Sequence, residues 1–194
     1  LVYAGVREGG GVYAHVEQLA CFAGGLFALS SNHSLTPDAA KSRMQFGADF
    51  TRFCREMYHN TATGLAPELV TVSNGQIQYA GQLTYQLRPE TVESLFYLWR
   101  TTKDRKYRDW AWEIFQSIQK YCKTEGGGYS GISNVQDRNP RHDDTQHSWF
   151  LAETLKYFFL IFSDSSVIPL DKYVFNTEAH PLSIFDPDPA MYNI

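Results

Sequence analysis

Arg88-Pro89-Glu90-Thr91-Val92-Glu93-Ser94-Leu95-Phe96-Tyr97-Leu98-Trp99-Arg100 is the stretch from which the architecture can be read. Pro89 has no amide proton to donate and a backbone angle suited to a first helical position, so a helix is expected over residues 89–102. Glu90 and Glu93, three apart in its first turns, share one face. Acids in that position complement the helix dipole, which is the ordinary reason for such a pair. Working outward, helical spacing recurs on both sides. Thr36-Pro37-Asp38 supplies a capping hydroxyl, a proline and an acid, and opens a helix over residues 37–58 with Met44, Phe46, Phe50 and Phe53 inward. Residues 13–30 alternate bulky and small apolar groups and read as a buried helix, with Leu19, Phe22, Leu26 and Phe27 as the bulky set. Trp110, Ile114, Ile118 and Tyr121 place another helix over 106–122, and the glycines at 126–128 turn the chain after it. A last helix is expected over 145–163. Residues 68–72, 173–176 and 180–184 read as short extended pieces. Five helices without a strand–helix–strand rhythm or a heptad predict an all-α fold, with hairpins stacked as a bundle, solenoid or toroid.

With 194 residues, 43% apolar and 15% aromatic, the chain can build one well-cored domain or part of one. A formal net charge of −4 argues against nucleic acid or an anionic membrane as partner. The start, Leu1-Val2-Tyr3-Ala4, has neither an initiator Met nor a signal-peptide layout, so a cut N-terminus is expected. Cys21, Cys54 and Cys122 allow one disulfide and one free thiol. A Cys21–Cys54 bridge would close a loop of about 33 residues, worth roughly 3–4 kcal/mol in the chain-entropy treatment. Asn32-His33-Ser34 is an N-glycosylation sequon and points the same way, toward a secretory lumen.

The acids are the other signal. Glu153 sits among Phe150, Leu151, Leu155 and Tyr157, so burial is expected, and a lone buried carboxylate is unfavourable by several kcal/mol unless it is paired. Trp149 precedes it by four residues, placing an aromatic ring beside the acid, as sugar sites often do. A core Trp with a structural ion pair would read identically. Thr177-Glu178 offers hydroxyl and carbonyl oxygens of the kind calcium prefers, although a turn threonine is the plain alternative. His142-Asp143-Asp144-Thr145-Gln146-His147 fits no common zinc spacing and reads as a loop and helix cap. Gly126-Gly127-Gly128 lacks the Lys-Ser/Thr of a phosphate loop.

Taken together, these segments resemble the C-terminal part of the class I α-1,2-mannosidases, glycoside hydrolase family 47. The resemblance is carried by Leu19-Ala20-Cys21-Phe22-Ala23-Gly24-Gly25, Gly64-Leu65-Ala66-Pro67-Glu68, the stretch from Leu87 to Ser94, Gly127-Gly128-Tyr129-Ser130, Phe150 to Tyr157, and Phe175 to Pro181. It implies an (α/α)7 barrel plugged by a C-terminal hairpin at residues 173–184, with residues 1–194 as the C-terminal part of a single catalytic domain. It implies inverting, calcium-dependent removal of α-1,2-linked mannose from high-mannose N-glycans. In that frame Thr177 matches the one direct protein ligand of Ca²⁺, and Glu90 matches the general base. Glu68, Glu93, Glu153 and Glu178 match acids that hold calcium-bound waters or sugar hydroxyls. Arg88 matches a motif arginine, and Trp149 falls where an aromatic packs on the sugar. Cys21 and Cys54 match the family disulfide, leaving Cys122 free.

Two departures stand out. Where family members usually carry a His just before the Leu-Ala-Cys-Phe run, this chain has Gln18. The family's catalytic acid lies in its N-terminal half, so this chain carries only the base and calcium side, and alone it is expected to be inactive. The implied partners are a high-mannose glycan or glycoprotein and the remainder of the same domain. The implied location is the endoplasmic reticulum or Golgi lumen, anchored upstream, or outside the cell for a fungal member. A mannosidase-like lectin of glycoprotein quality control is the alternative, although a pure binder has no need of Glu90.

Overall fold

The computed structural model describes residues 2–8 and 11–185. Five α-helices dominate: α1 (Phe22–Ser31), α2 (Pro37–His59), α3 (Glu90–Thr102), α4 (Lys106–Tyr121) and α5 (Leu155–Phe162). The strands are short and antiparallel. β1 (Val6–Glu8) pairs with β2 (Gly11–Tyr13), and β6 (Tyr173–Phe175) with β7 (Pro181–Ser183). A three-stranded sheet runs in the order β3 (His15–Glu17), β4 (Leu69–Ser73), β5 (Gln76–Gln78). Among the described residues no helix is long and apolar enough to cross a membrane.

α2 forms as its start signal dictates. The Thr36 hydroxyl accepts from the Ala39 amide at 3.2 Å, Pro37 opens the helix, and Asp38 lies in the first turn. Phe50 and Phe53 are buried, whereas Phe46, expected inward, sits at the surface and packs edge-on against Phe27.

The reading of residues 13–30 needs correction. Helix α1 begins only at Phe22, after strand β3 and a 3₁₀ turn at Gln18–Cys21. The helix is also not buried all round. Leu19, Phe22 and Leu26 are about half exposed (49%, 42% and 52%), while Gly24, Gly25 and Ala28 face the core. The cause is interhelical distance. A Cβ on Gly24 would lie 2.1 Å from Thr51 Oγ1, and one on Gly47 would lie 2.7 Å from the Gly24 carbonyl oxygen. The α1 and α2 backbones touch, so only glycine fits the seam. Ser94 ties α3 into the same junction, accepting from the Gly25 amide at 2.7 Å and donating to the Cys21 carbonyl at 2.5 Å. A Cys21–Cys54 disulfide with Cα atoms 5.9 Å apart staples the junction, and Cys122 is free and buried.

Helix α3 is the hub, packing on α1, α2, α4 and α5. Its buried Arg100 donates to the carbonyls of Leu160, Ser165 and Val167 at 2.9–3.0 Å, satisfying the end of α5 and the loop beyond it. The last helix starts later than its residues suggest. Residues 145–147 are loop, with the Asp143 carboxylate accepting from the Ser130 hydroxyl and the Thr145 amide, and a π turn at Phe150–Thr154 leads into α5. Beyond α5, the β6–β7 hairpin folds back with Phe175 packed on Phe96 (5.6 Å) and Tyr157 (5.9 Å). That contact brings the hairpin turn toward α3.

Candidate active site

The approach to α3 is strained. Leu87 is fully buried with φ of 60°, a left-handed value unfavourable for a branched residue by roughly 1–3 kcal/mol. Its carbonyl accepts the Thr154 hydroxyl at 2.7 Å, so the π turn holds the kink in place. The kink delivers Arg88, whose Nε lies 2.6 Å from Glu68 Oε2 and whose Nη1 lies 3.8 Å from Glu90 Oε1. The Arg88 guanidinium also lies over the Trp149 ring, 5.4 Å from its centroid. Trp149 donates to the Gln86 carbonyl at 3.0 Å and stacks with His147 at 4.0 Å.

Glu90 and Glu93 project from the first turn of α3, where four parts of the chain meet around a cavity of about 430 Å³. α3 contributes Glu90, Glu93 and Tyr97, the π turn contributes Glu153, and the β6–β7 hairpin contributes Asn176 and Thr177. Leu19, Phe22 and Leu26 of the α1 region form an apolar wall. Thus Glu90, Glu93, Glu153 and Thr177, far apart in sequence, share one chamber. Glu68, Arg88 and Trp149 do not line it but adjoin it through the Arg88 contacts. Glu178 is exposed and reaches the group only through its charge on Glu153.

Crowding and burial govern the electrostatics. Burial pushes the Glu90 carboxyl up to about 7, with the charges of Glu153 and Glu68 adding to the rise and Arg88 opposing it. Glu93 is also pushed up to about 7, by burial and then by Glu90, while the Tyr157 hydroxyl opposes. Burial raises Glu68 against the pull of Arg88, and burial and then Glu178 raise Glu153 against the pull of Lys156. Glu90 Oε2 and Glu68 Oε1 are buried with no hydrogen-bond partner. Buried carboxylate oxygens left this way call for a donor or a cation. The donors here are all oxygen, the chemistry of a hard cation such as calcium. No three His, Cys, Asp or Glu side chains among the described residues converge as a metal cage, so any cation bound here would draw few direct ligands from them. The residues fit such an ion if Thr177 binds it and the acids act through water.

Gln18 lies behind this group. It is buried, its Nε2 donates to the Tyr58 hydroxyl, and its backbone amide donates to the Glu68 carbonyl at 2.9 Å. Tyr97 was not singled out in the sequence, and Phe175 and Asn176 entered only within the stretch that carries the resemblance. Tyr97 stands four residues after Glu93 on one helix face, a spacing that could have revealed it.

Residues 1–184 match the profile of Glycosyl hydrolase family 47. The chain is 48% identical over 177 residues to mannosyl-oligosaccharide alpha-1,2-mannosidase IA of Spodoptera frugiperda, covering 90% of this chain and 26% of that protein. It is 44% identical over 187 residues to mannosyl-oligosaccharide 1,2-alpha-mannosidase IB of Homo sapiens, covering 95% and 29%. Its fold superposes on alpha-1,2-mannosidase from Trichoderma reesei with a TM-score of 0.83 and 31% identity, covering 93% of this chain and 41% of that one. The chain therefore spans between a quarter and a third of the length of these two curated relatives. With the profile matched from the first residue through the hairpin that carries Thr177, the chain belongs to glycosyl hydrolase family 47.

Proposed function

We propose that this chain is the C-terminal part of the catalytic domain of an inverting α-1,2-mannosidase acting on high-mannose N-glycans. The observation that carries the reading is the convergence of Glu90, Glu93, Glu153 and Thr177, from three separate elements, on one cavity. Inverting hydrolysis needs one carboxylate to activate water and a second, protonated carboxyl on the other side of the glycosidic bond. Glu90 takes a proton from a water molecule as its oxygen attacks the mannose anomeric carbon. The glycosidic bond breaks, and the departing oxygen takes its proton from an acid in the rest of the domain. A base held near 7 is poised for this at neutral pH. Thr177 would hold Ca²⁺, with Glu68, Glu90, Glu93, Glu153 and Glu178 binding its waters or the sugar hydroxyls. Bound calcium supplies positive charge that offsets the crowded acids and fixes hydroxyl orientation. Arg88 keeps Glu68 and Glu90 in register, and Trp149 offers aromatic surface at the rim.

In this reading the five helices form part of an (α/α)7 barrel, and the β6–β7 hairpin is its plug. The exposed faces of Trp112, Leu151 and Phe159 are then covered by the remaining helices. The protein works in a secretory compartment, in keeping with the disulfide, and Asn32, exposed just after α1, carries an N-glycan. The test uses the full-length protein and a Man9 glycan. Glu90→Gln should lower turnover by about 10²–10⁴-fold while glycan binding persists. Unchanged turnover removes Glu90 from the base role. Calcium-dependent binding without any turnover by the unaltered protein supports the lectin instead.

A further inference from the structure

Three side chains at the π turn and the start of α5 each serve a different part of the site. Glu153 enters the cavity, Thr154 holds the Leu87 kink at 2.7 Å, and Lys156 reaches the β6–β7 turn, its Nζ lying 2.8 Å from the Ala179 carbonyl oxygen. A π turn widens the helix by one residue and re-aims the side chains that follow, and such turns recur at functional sites.

The turn that Lys156 grips is tightly specified. Asn176 Oδ1 accepts from the amides of Glu178 (3.0 Å) and His180 (2.9 Å), and the Asn176 carbonyl accepts from the Ala179 amide at 3.0 Å. Ala179 is fully buried with φ of 55°, a left-handed value that an L-residue adopts only when its surroundings hold it there. Among the described residues, Lys156 is the partner of its carbonyl. Thr177 lies inside this closed loop, one residue from Asn176 and two from Ala179. Lys156 is also a positive group beside Glu153, where its charge opposes that of Glu178.

We propose that Lys156 is a positioning residue that fixes Thr177 for cation binding, through its bond to the Ala179 carbonyl and its charge beside Glu153. This rests on the reading of Thr177 as the calcium ligand. Partners one step removed from a metal commonly change its affinity by 10–100-fold when removed. In full-length enzyme titrated calorimetrically with calcium chloride, without glycan, Lys156→Met should weaken calcium binding by about 10-fold or more. Lys156→Arg keeps a donor and a charge and should restore most of it. At saturating calcium the Lys156→Met kcat should return to within about twofold of the parent, since Glu90 is untouched. Asn176→Ala, which frees the same turn from its other side, should also weaken calcium binding. A parent enzyme that binds calcium, with Lys156→Met binding it equally tightly, overturns the proposal and leaves the mannosidase reading intact. A parent that binds no calcium overturns both. Should Lys156→Met fail to fold, Lys156→Gln, which removes the charge and shortens the reach, decides, and unchanged affinity there overturns the proposal.

Discussion

One helix, α1, is built to opposite rules on its two sides. Toward α2 and α3 it presents Gly24, Gly25 and Ala28, and at the two glycines there is no room for a Cβ. Toward the cavity it presents Phe22 and Leu26, large and about half exposed, with Leu19 just ahead of them in the 3₁₀ turn. In a helix of this kind the small residues mark the permanent seam, and the bulky ones are left facing the chamber. The seam holds the scaffold, and the wall bounds the chemistry.

The largest expected effect on this contrast comes from across the wall. Beyond the turnover loss expected of Glu90→Gln, Thr177→Ala should abolish measurable calcium binding yet leave thermal stability in EDTA within about 1 kcal/mol, as expected for an exposed side chain. On the seam, Gly24→Ala should destabilise by about 2–3 kcal/mol in urea denaturation, because Thr51 Oγ1 must move to admit the new methyl. An equal loss for Leu26→Ala would erase the distinction between the two sides. Leu26→Ala should cost less than half as much.

The acids set a pH dependence with a definite sign. Glu90 rises from 4.5 in its ordinary state to about 7, and Glu93 behaves alike, so the folded state favours their protonated forms. Their contribution to stability is full below about pH 4.5 and is lost as pH rises through about 7. Melting in EDTA should therefore be easier at pH 8 than at pH 5, and added calcium should raise the melting temperature more at pH 8. A calcium effect independent of pH would separate the cation from these carboxylates. Activity runs the other way, since Glu90 must be ionised to act as base. On the acid side kcat/KM should fall toward tenfold per pH unit as Glu90 takes up its proton.

The legible parts of the fold were those with local chemistry. Thr36-Pro37-Asp38 marks the start of α2, and the two extended pieces near the end become the β6–β7 hairpin. The reading of α1 as buried failed because apolar residues on every side do not say which face has a neighbour. Glycine packing could have said so, since Gly24 and Gly25 make sense only at a close crossing. The late start of the last helix was hidden because Asp143 and Thr145 spend their hydrogen bonds on a loop. Within the site, Glu90 and Glu93 follow from spacing on α3, and Glu153 from its apolar neighbours. Thr177 was offered by its oxygens but could not be told from a turn threonine without the resemblance, because its place depends on Asn176, Lys156 and Ala179, a tertiary arrangement with no local signature. Lys156 was missed for the same reason.

The most direct test follows the first mannose released from Man9 by the full-length protein, with proton NMR reading its anomeric form. The account predicts β-mannose appearing first, stopped by EDTA, restored by calcium and lost in Glu90→Gln. Release of α-mannose first, or turnover indifferent to both EDTA and Glu90→Gln, would contradict it.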